Sequence, residues 1–303
     1  MVIFNLLHNF ARFLINRHHL KIFTTKKSLS HYLDELGTNG KSIGFVPTMG
    51  ALHQGHLSLL AQSQQQTDVS VCSIFVNPTQ FNDPKDLEKY PRPIASDIQK
   101  LELAGCDVLF NPEVNEMYAD NEQWHLDLGE LEHLLEGKFR PGHYQGVTQV
   151  VFKLFDIVKP DMAFFGQKDF QQVLVIQKMV DLLHMPVKVA MCPILRETDG
   201  LAMSSRNIHL SADDRQRALV LSKTLNWLKQ NFDANHIVSL TKQCEDLIKA
   251  EPGVQLEYFE VADGESLHNA NQDSKQIVAL VAAKVGNTRL IDNMIVREQL
   301  IGD

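Results

Sequence analysis

Short apolar runs alternate with stretches of helical spacing from residue 22 to about residue 194, a pattern that few folds accept. Candidate strands lie at 42–46, 69–76, 107–110, 161–165 and 187–191. Between them, 55–66, 94–104, 147–158 and 170–183 carry helical spacing. In the third of these helices, Val147, Val150, Val151, Leu154 and Val158 fall on one face. Strands that alternate with helices join by right-handed crossovers into a parallel sheet. The expectation is an α/β fold with helices on both faces of that sheet. Residues 111–146 are rich in turn formers and charge, and are expected to form a lid or insertion over a site.

Beyond about residue 195 the pattern changes. Ser211 precedes a helical stretch that reaches about residue 232, with Asp214 placed to cap it. A second helical stretch covers 237–250, and 254–261 alternates as a strand. Residues 276–285 and 288–296 form a predicted hairpin across Gly286-Asn287. This divides the chain into a first unit at 20–194 and a smaller α+β unit at 195–303. Residues 1–19 hold Arg12 and Arg17 but no Asp or Glu, and Ile3, Leu7, Phe10 and Leu14 share a helical face. They are expected to be an extension, disordered or a misassigned start, because Arg12 breaks the apolar stretch that a signal peptide needs.

The net charge of −8 over 303 residues argues against a nucleic-acid partner, which calls for a basic face. It leaves room for an anionic small molecule, since a local basic pocket suffices. Cys72, Cys106, Cys192 and Cys244 form no C-x-x-C pair, which points to buried thiols in a reducing, cytoplasmic setting. No apolar run approaches the ~18–20 residues that span a membrane, so no membrane partner is expected.

The densest chemistry follows the first strong strand, where the chain reads Met49-Gly50-Ala51-Leu52-His53-Gln54-Gly55-His56. A helix start offers unpaired N–H groups and partial positive charge to phosphate. Gly50 and Gly55 remove Cβ atoms where a nucleotide would approach, and two imidazoles can donate to phosphate oxygens as charge builds. The arrangement suggests adenylyl transfer at the carboxyl end of a strand, where open α/β sheets bind ligands. A second strand end carries Gly166-Gln167-Lys168-Asp169, with Gln172 one turn on. Lys168 can neutralise phosphate and Asp169 can accept from ribose hydroxyls, although a solvated loop with a helix cap fits equally well. Met203-Ser204-Ser205-Arg206 offers hydroxyls beside a guanidinium, as a phosphate clamp or as a polar helix-capping loop. Asn77, Gln80, Arg140 and His143 could meet a small polar substrate or be structural.

Taken together, these motifs resemble the pantoate–β-alanine ligase (pantothenate synthetase) family of the HIGH-motif nucleotidyltransferases. The resemblance spans residues 20–296 and rests on the 47–57 segment, Phe75-Val76-Asn77-Pro78-Thr79-Gln80-Phe81, Arg140-Pro141-Gly142-His143, residues 164–172 and Ser204-Ser205-Arg206-Asn207. Residues 1–19 have no counterpart in it. The resemblance implies a Rossmann-like first unit and a second unit that closes over ATP. It implies that pantoate is adenylated by Mg2+-bound ATP, with release of pyrophosphate, and that β-alanine then displaces AMP. It assigns Met49, Gly50, Ala51, Leu52, His53, Gln54, Gly55 and His56 to ATP, with His53 and His56 on the phosphates and His56 as proton donor. Gly166, Gln167, Lys168 and Asp169 would bind ATP, Lys168 on phosphate and Asp169 on ribose. Leu195 would meet the nucleotide through its backbone, and Met203, Ser204, Ser205 and Arg206 would form a mobile clamp. Gln80 and Gln172 would hold pantoate, with Gln80 also near β-alanine; Asn77, Arg140 and His143 complete the substrate set. Gln167 stands where relatives often carry Glu, and Met203 where they often carry Leu. A homodimer with no protein-built metal site is expected. The alternatives are another adenylyltransferase with the same histidine motif, such as a phosphopantetheine adenylyltransferase, or a non-enzymatic nucleotide binder.

Overall fold

The computed structural model describes residues 19–120 and 122–298, so the 1–18 stretch lies outside the described residues. Six parallel strands form the first sheet: β1 (Lys21–Phe23), β2 (Ile43–Thr48), β3 (Val69–Ile74), β4 (Val108–Phe110), β5 (Met162–Gly166) and β6 (Lys188–Cys192). Their order is β1-β4-β3-β2-β5-β6, all paired in parallel. From β2 the chain winds outward through β3 to β4, and it then returns to the other flank through β5 to β6. The winding therefore reverses between β2 and β5. At such a switch point the loops from neighbouring strands part in opposite directions and leave a crevice at their carboxyl ends.

Helices α1 (Lys26–Thr38) and α2 (Gln54–Gln66) flank β2 in sequence. α1 starts at Thr25, whose hydroxyl accepts from Ser28 N–H. α2 crosses the sheet so closely at Gly44 that a Cβ there would collide with Ser63 and Thr67. Next come α3 (Pro84–Lys89), α4 (Ile94–Leu103), α5 (Val114–Met117), α6 (Leu135–Phe139), α7 (His143–Val158) and α8 (Phe170–Leu182). Val147, Val150, Val151, Leu154 and Val158 are all buried in the main core, beside Phe45, Phe110 and Phe165. Fully burying each such side chain contributes about 1.5–3 kcal/mol. α7 begins four residues earlier than its spacing predicts, because Gly142 adopts a left-handed conformation (φ 78°) that turns the chain into the helix. Its first turn abuts the 78–80 turn, and a Cβ at Gly146 would collide with the Thr79 backbone.

The C-terminal part has α9 (Ala212–Asn231), α10 (Ile237–Lys249) and an antiparallel sheet, β7 (Val254–Asp263), β8 (Gln276–Val285) and β9 (Thr288–Glu298). Ser211 caps α9 by accepting from Asp214 N–H at 3.1 Å, and the β8–β9 hairpin turns at Gly286 with φ 55°. The expected insertion at 111–146 is anchored against this sheet. Arg289 on β9 grips Glu136 of α6 at 2.7 and 2.8 Å, and the Tyr258 hydroxyl of β7 donates to Glu136 at 2.9 Å. Buried Gln171 adds two donated bonds, to the carbonyls of Leu131 and Leu134. The four cysteines are free and buried. No helix among the described residues is long and apolar enough to cross a membrane.

Candidate active site

The loop from β2 to α2 turns its own backbone inward. Gly50 and Ala51 both have positive φ, 82° and 50°. Gly50 N–H donates to Thr48 Oγ1 at 3.1 Å, and Ala51 and Leu52 N–H donate to the two carboxylate oxygens of Asp97 at 2.7 and 2.8 Å. Asp97 is 1% exposed, and Lys100 beside it donates to Leu52 O at 2.7 Å. Hydrogen bonds to a charged group contribute about 1.5–3 kcal/mol each, so this clamp can hold a positive-φ alanine.

The chain emerges from the clamp at His53, which caps α2. His53 Nδ1 accepts from Gly55 N–H at 3.1 Å, and His56 Nδ1 accepts from His53 N–H at 3.3 Å. The imidazoles thus form a reciprocal capping box, with ring centroids 4.0 Å apart. Burial is the main cause that lowers the His53 pKa to about 4, with Lys168 second. Burial also lowers His56, to about 3, with His53 second. Both rings are neutral near pH 7. With Nδ1 accepting, the proton of each neutral ring must sit on Nε2. Each ring takes a backbone N–H on one edge and offers an N–H on the other, so the polarity of the helix start is carried outward through the side chains. The expectation of open backbone donors is corrected in this respect: Gly55 and His53 N–H are already occupied by the rings.

β5 ends at Gly166, where a Cβ would meet nothing within 4 Å. A 3-10 turn, Gln167–Asp169, follows and sets Lys168 and Asp169 on the crevice wall. Lys168 is 16% exposed and lies 3.8 Å from Asp169, a loose pair that leaves its ammonium able to meet an anion. The 195–206 segment closes one side. It folds back through an Arg196–Ala202 bridge, and Ser204 Oγ accepts from Arg206 N–H at 3.2 Å.

These elements border one cleft of about 230 Å³, on which Met49, His53, Gly55, His56, Asn77, Gln80, Gly166, Lys168, Asp169, Gln172, Leu195, Met203, Ser204, Ser205 and Arg206 are all brought together. Gly50, Ala51, Leu52 and Gln54 do not line it, since Gly50 is bonded to Thr48, Ala51 and Leu52 face Asp97, and Gln54 opens α2 on the exposed side. Gln167 is also turned away, donating to Asn293 Oδ1 at 3.0 Å.

Asn77 is 1% exposed and its amide is fully engaged, with Nδ2 on Gln80 Oε1 and Gly146 O and Oδ1 accepting from Tyr118 at 2.6 Å. Asn77 orients Gln80, and its amide has no group left for a substrate. His143 is similarly occupied. Arg140 donates to its Nε2 at 3.0 Å, which leaves Nδ1–H to donate to Gln80 O at 2.9 Å. Burial, then Arg140, lowers the His143 pKa to about 4. Arg140 and His143 border a second cavity, of about 310 Å³, which shares Lys168, Gln172 and Arg206 with the first.

Asp97, Lys100 and Tyr90 were not singled out by sequence. Tyr90 lines the cleft, is hydrogen-bonded to Ser205 and sits edge-on to Phe81, with ring centroids 5.7 Å apart. The tyrosine carries no sequence signal of this placement. The only signal for Asp97 is an acidic residue on the buried face of a helix.

A parallel sheet whose switch point carries paired histidines, a lysine turn and a serine–arginine segment defines an α/β enzyme of the HIGH-motif nucleotidyltransferase class. The sequence pattern of the Pantoate-beta-alanine ligase family matches residues 21–295. The chain is 47% identical to the pantothenate synthetase of Bacteroides fragilis over 283 residues, covering 92% of this chain and all of that protein. It is 45% identical to the pantothenate synthetase of Porphyromonas gingivalis, covering 91% and 99%. The crystal structure of pantothenate synthetase from Thermus thermophilus superposes with a TM-score of 0.86 at 38% identity, covering 92% and 100%. That of pantoate-beta-alanine ligase from Francisella tularensis, complexed with beta-gamma ATP and beta-alanine, gives 0.76 at 36% identity, covering 92% and 98%. The chain belongs to the pantoate–β-alanine ligase family.

Proposed function

We propose that this chain joins pantoate to β-alanine using ATP, by way of a pantoyl adenylate. A pantoate carboxylate oxygen attacks the α-phosphorus and pyrophosphate leaves. The β-alanine amine then attacks the activated carbonyl and AMP leaves, giving pantothenate. Adenylation makes a leaving group of a carboxylate oxygen that is otherwise too basic to depart. The ATP and β-alanine of the Francisella tularensis complex support both ligands here.

The observation that carries the reading is the pair of neutral imidazoles, whose Nδ1 atoms are fixed on backbone N–H groups beside Lys168 at the switch point. Their Nε2–H groups donate hydrogen bonds to the phosphates as charge moves toward pyrophosphate; a neutral His56 ring held this way acts as a hydrogen-bond donor, in place of the proton transfer that the resemblance implies. Preorganised donors of this kind act with little rearrangement at the moment of reaction. Lys168 and Arg206 supply the positive charge that a protein of net −8 must concentrate locally. Ser204 and Ser205 complete the clamp, Asp169 receives the ribose hydroxyls, and Leu195 and Met203 border the nucleotide. Gln80 and Gln172 hold pantoate without adding charge. Arg140, which forms no ion pair among the described residues, faces the second cavity and can attract a carboxylate arriving there.

Among the described residues no group of three His, Cys, Asp or Glu side chains forms a metal cage. Mg2+ would arrive with ATP, bound chiefly through substrate phosphates and water, with Asp169 as the carboxylate on the cleft wall. When bound with ATP, the ion neutralises part of the triphosphate charge. Residues 20–194 and 195–303 are taken as the two units that close the cleft, in a cytoplasmic homodimer. Pyrophosphate release from Mg-ATP tests the acceptor. Release with pantoate but not with phosphopantetheine is expected, and the reverse would give the cleft to a phosphate acceptor.

A further inference from the structure

Lys168 stands on a 3-10 turn of three residues that has no side-chain cap of its own. The turn is held from the other sheet. Asn293 of β9 is 2% exposed, and its Nδ2 donates to the carbonyls of both Gln167 and Lys168 at 2.9 Å. Its Oδ1 accepts from Gln167 Nε2 at 3.0 Å. Asn293 is itself held, for its backbone N–H donates to Asp292 Oδ1 at 2.8 Å and its carbonyl accepts from Arg196 at 3.3 Å. Arg196 grips the 4%-exposed Asp292 at 2.7 and 3.0 Å, and it lies in the 195–206 segment that carries Ser204 and Arg206.

We propose that Asn293 is a positioning residue for Lys168: it ties the lysine turn to the C-terminal sheet, so that the ammonium meets ATP only when that sheet is in place. The inference rests on the nucleotide role given to Lys168 above. Only an amide meets the three demands at this point, two donors for two carbonyls and one acceptor for Gln167. The substitution Asn293→Asp would set a carboxylate against two carbonyl oxygens, with Asp292 beside it. Alanine would leave those carbonyls without these donors but add no charge. Buried polar groups deprived of partners shift to find others, and here the shift moves Lys168.

The test is a double-mutant cycle of Asn293→Asp with Lys168→Ala, read twice: as affinity for Mg2+ and a non-hydrolysable ATP analogue, and as single-turnover pyrophosphate release. Asn293→Asp alone is expected to weaken nucleotide binding and slow adenylation by about 10–10²-fold, as for a misplacement near 1 Å. β-Alanine capture of preformed adenylate should stay within about twofold, since its reaction no longer needs the triphosphate contacts. In the Lys168→Ala background Asn293→Asp should add little, because residues acting as one unit are non-additive. Equal losses in both backgrounds would show that Asn293 acts elsewhere and would overturn the proposal, as would an Asn293→Asp protein with full nucleotide affinity. Asn293→Ala runs the same cycle if the aspartate variant does not fold. Because nucleotide affinity is read without pantoate, a wild-type protein that binds the analogue but shows no pantoate-dependent release contradicts the ligase reading and leaves this coupling measurable.

Discussion

Gly55→Ala should separate catalysis from stability. A Cβ on Gly55 would lie 2.8 Å from His53 Cε1 and 2.9 Å from His53 Nδ1. Carbon atoms settle at about 3.5–4.0 Å, so the His53 ring must retreat by roughly 0.7–1.2 Å. It cannot do so and keep the 3.1 Å bond from Gly55 N–H, and His56 at 4.0 Å blocks one direction of retreat. A misplacement of about 1 Å can cost about 10²-fold in rate, and that is the expected loss of adenylation. Stability should change little. Alanine favours a helix over glycine by up to about 1 kcal/mol, and losing the His53 cap removes about as much. The backbone at Gly55 is not in the left-handed region, so alanine adds no strain there. The assay is single-turnover pyrophosphate release beside a thermal melt. A variant that melts like the parent and releases pyrophosphate at the parental rate would refute the reasoning, because the ring would have moved without consequence or not at all.

His56→Ala should fold normally yet lose about 10²–10³-fold in adenylation, the size seen when one charge-stabilising donor is removed, and near-normal turnover would remove His56 from the mechanism. Asp97→Asn keeps the shape but turns an NH2 toward a backbone N–H, and should lower stability by about 1–3 kcal/mol in urea titrations; an unchanged midpoint would show that the loop needs no clamp. His53, His56 and His143 have folded pKa values of about 4, 3 and 4, against an ordinary 6.5. Between those limits the unfolded chain binds more protons than the native one, so stability should fall as pH drops from about 6.5 toward 4 and level off once the native rings also protonate. Replacing His56 by Ala should flatten that slope, and an equally steep slope in the variant would contradict the burial argument.

The sheet was legible because strands β2, β3 and β5 are nearly or fully buried and carry enough apolar residues to stand out. β1, three residues at the sheet edge, left no periodicity to read, and neither it nor α1 was placed from sequence. The two strand ends that meet at the switch point were legible as motifs, since Gly55, the histidines and Lys168 have few structural reasons to cluster. The orientation of each group was not. Ala51 and Leu52 turn inward because of Asp97, a partner more than forty residues away, and local spacing carries no trace of it. Asn77 and His143 read as substrate ligands by residue type, but tertiary partners occupy both of their polar ends. The Arg289–Asn293 stretch reads as strand alone, and its polar side chains gain meaning only where β9 meets α6 and the lysine turn.

The central claim is that pantoate is activated as an adenylate, and carboxylate-labelled pantoate tests it most directly. With 18O in both carboxylate oxygens, Mg-ATP and β-alanine, turnover should deliver one labelled oxygen to AMP and leave the other in the pantothenate amide. AMP formed without label would mean that the carboxylate never attacked the α-phosphorus, and the two-step account would be wrong.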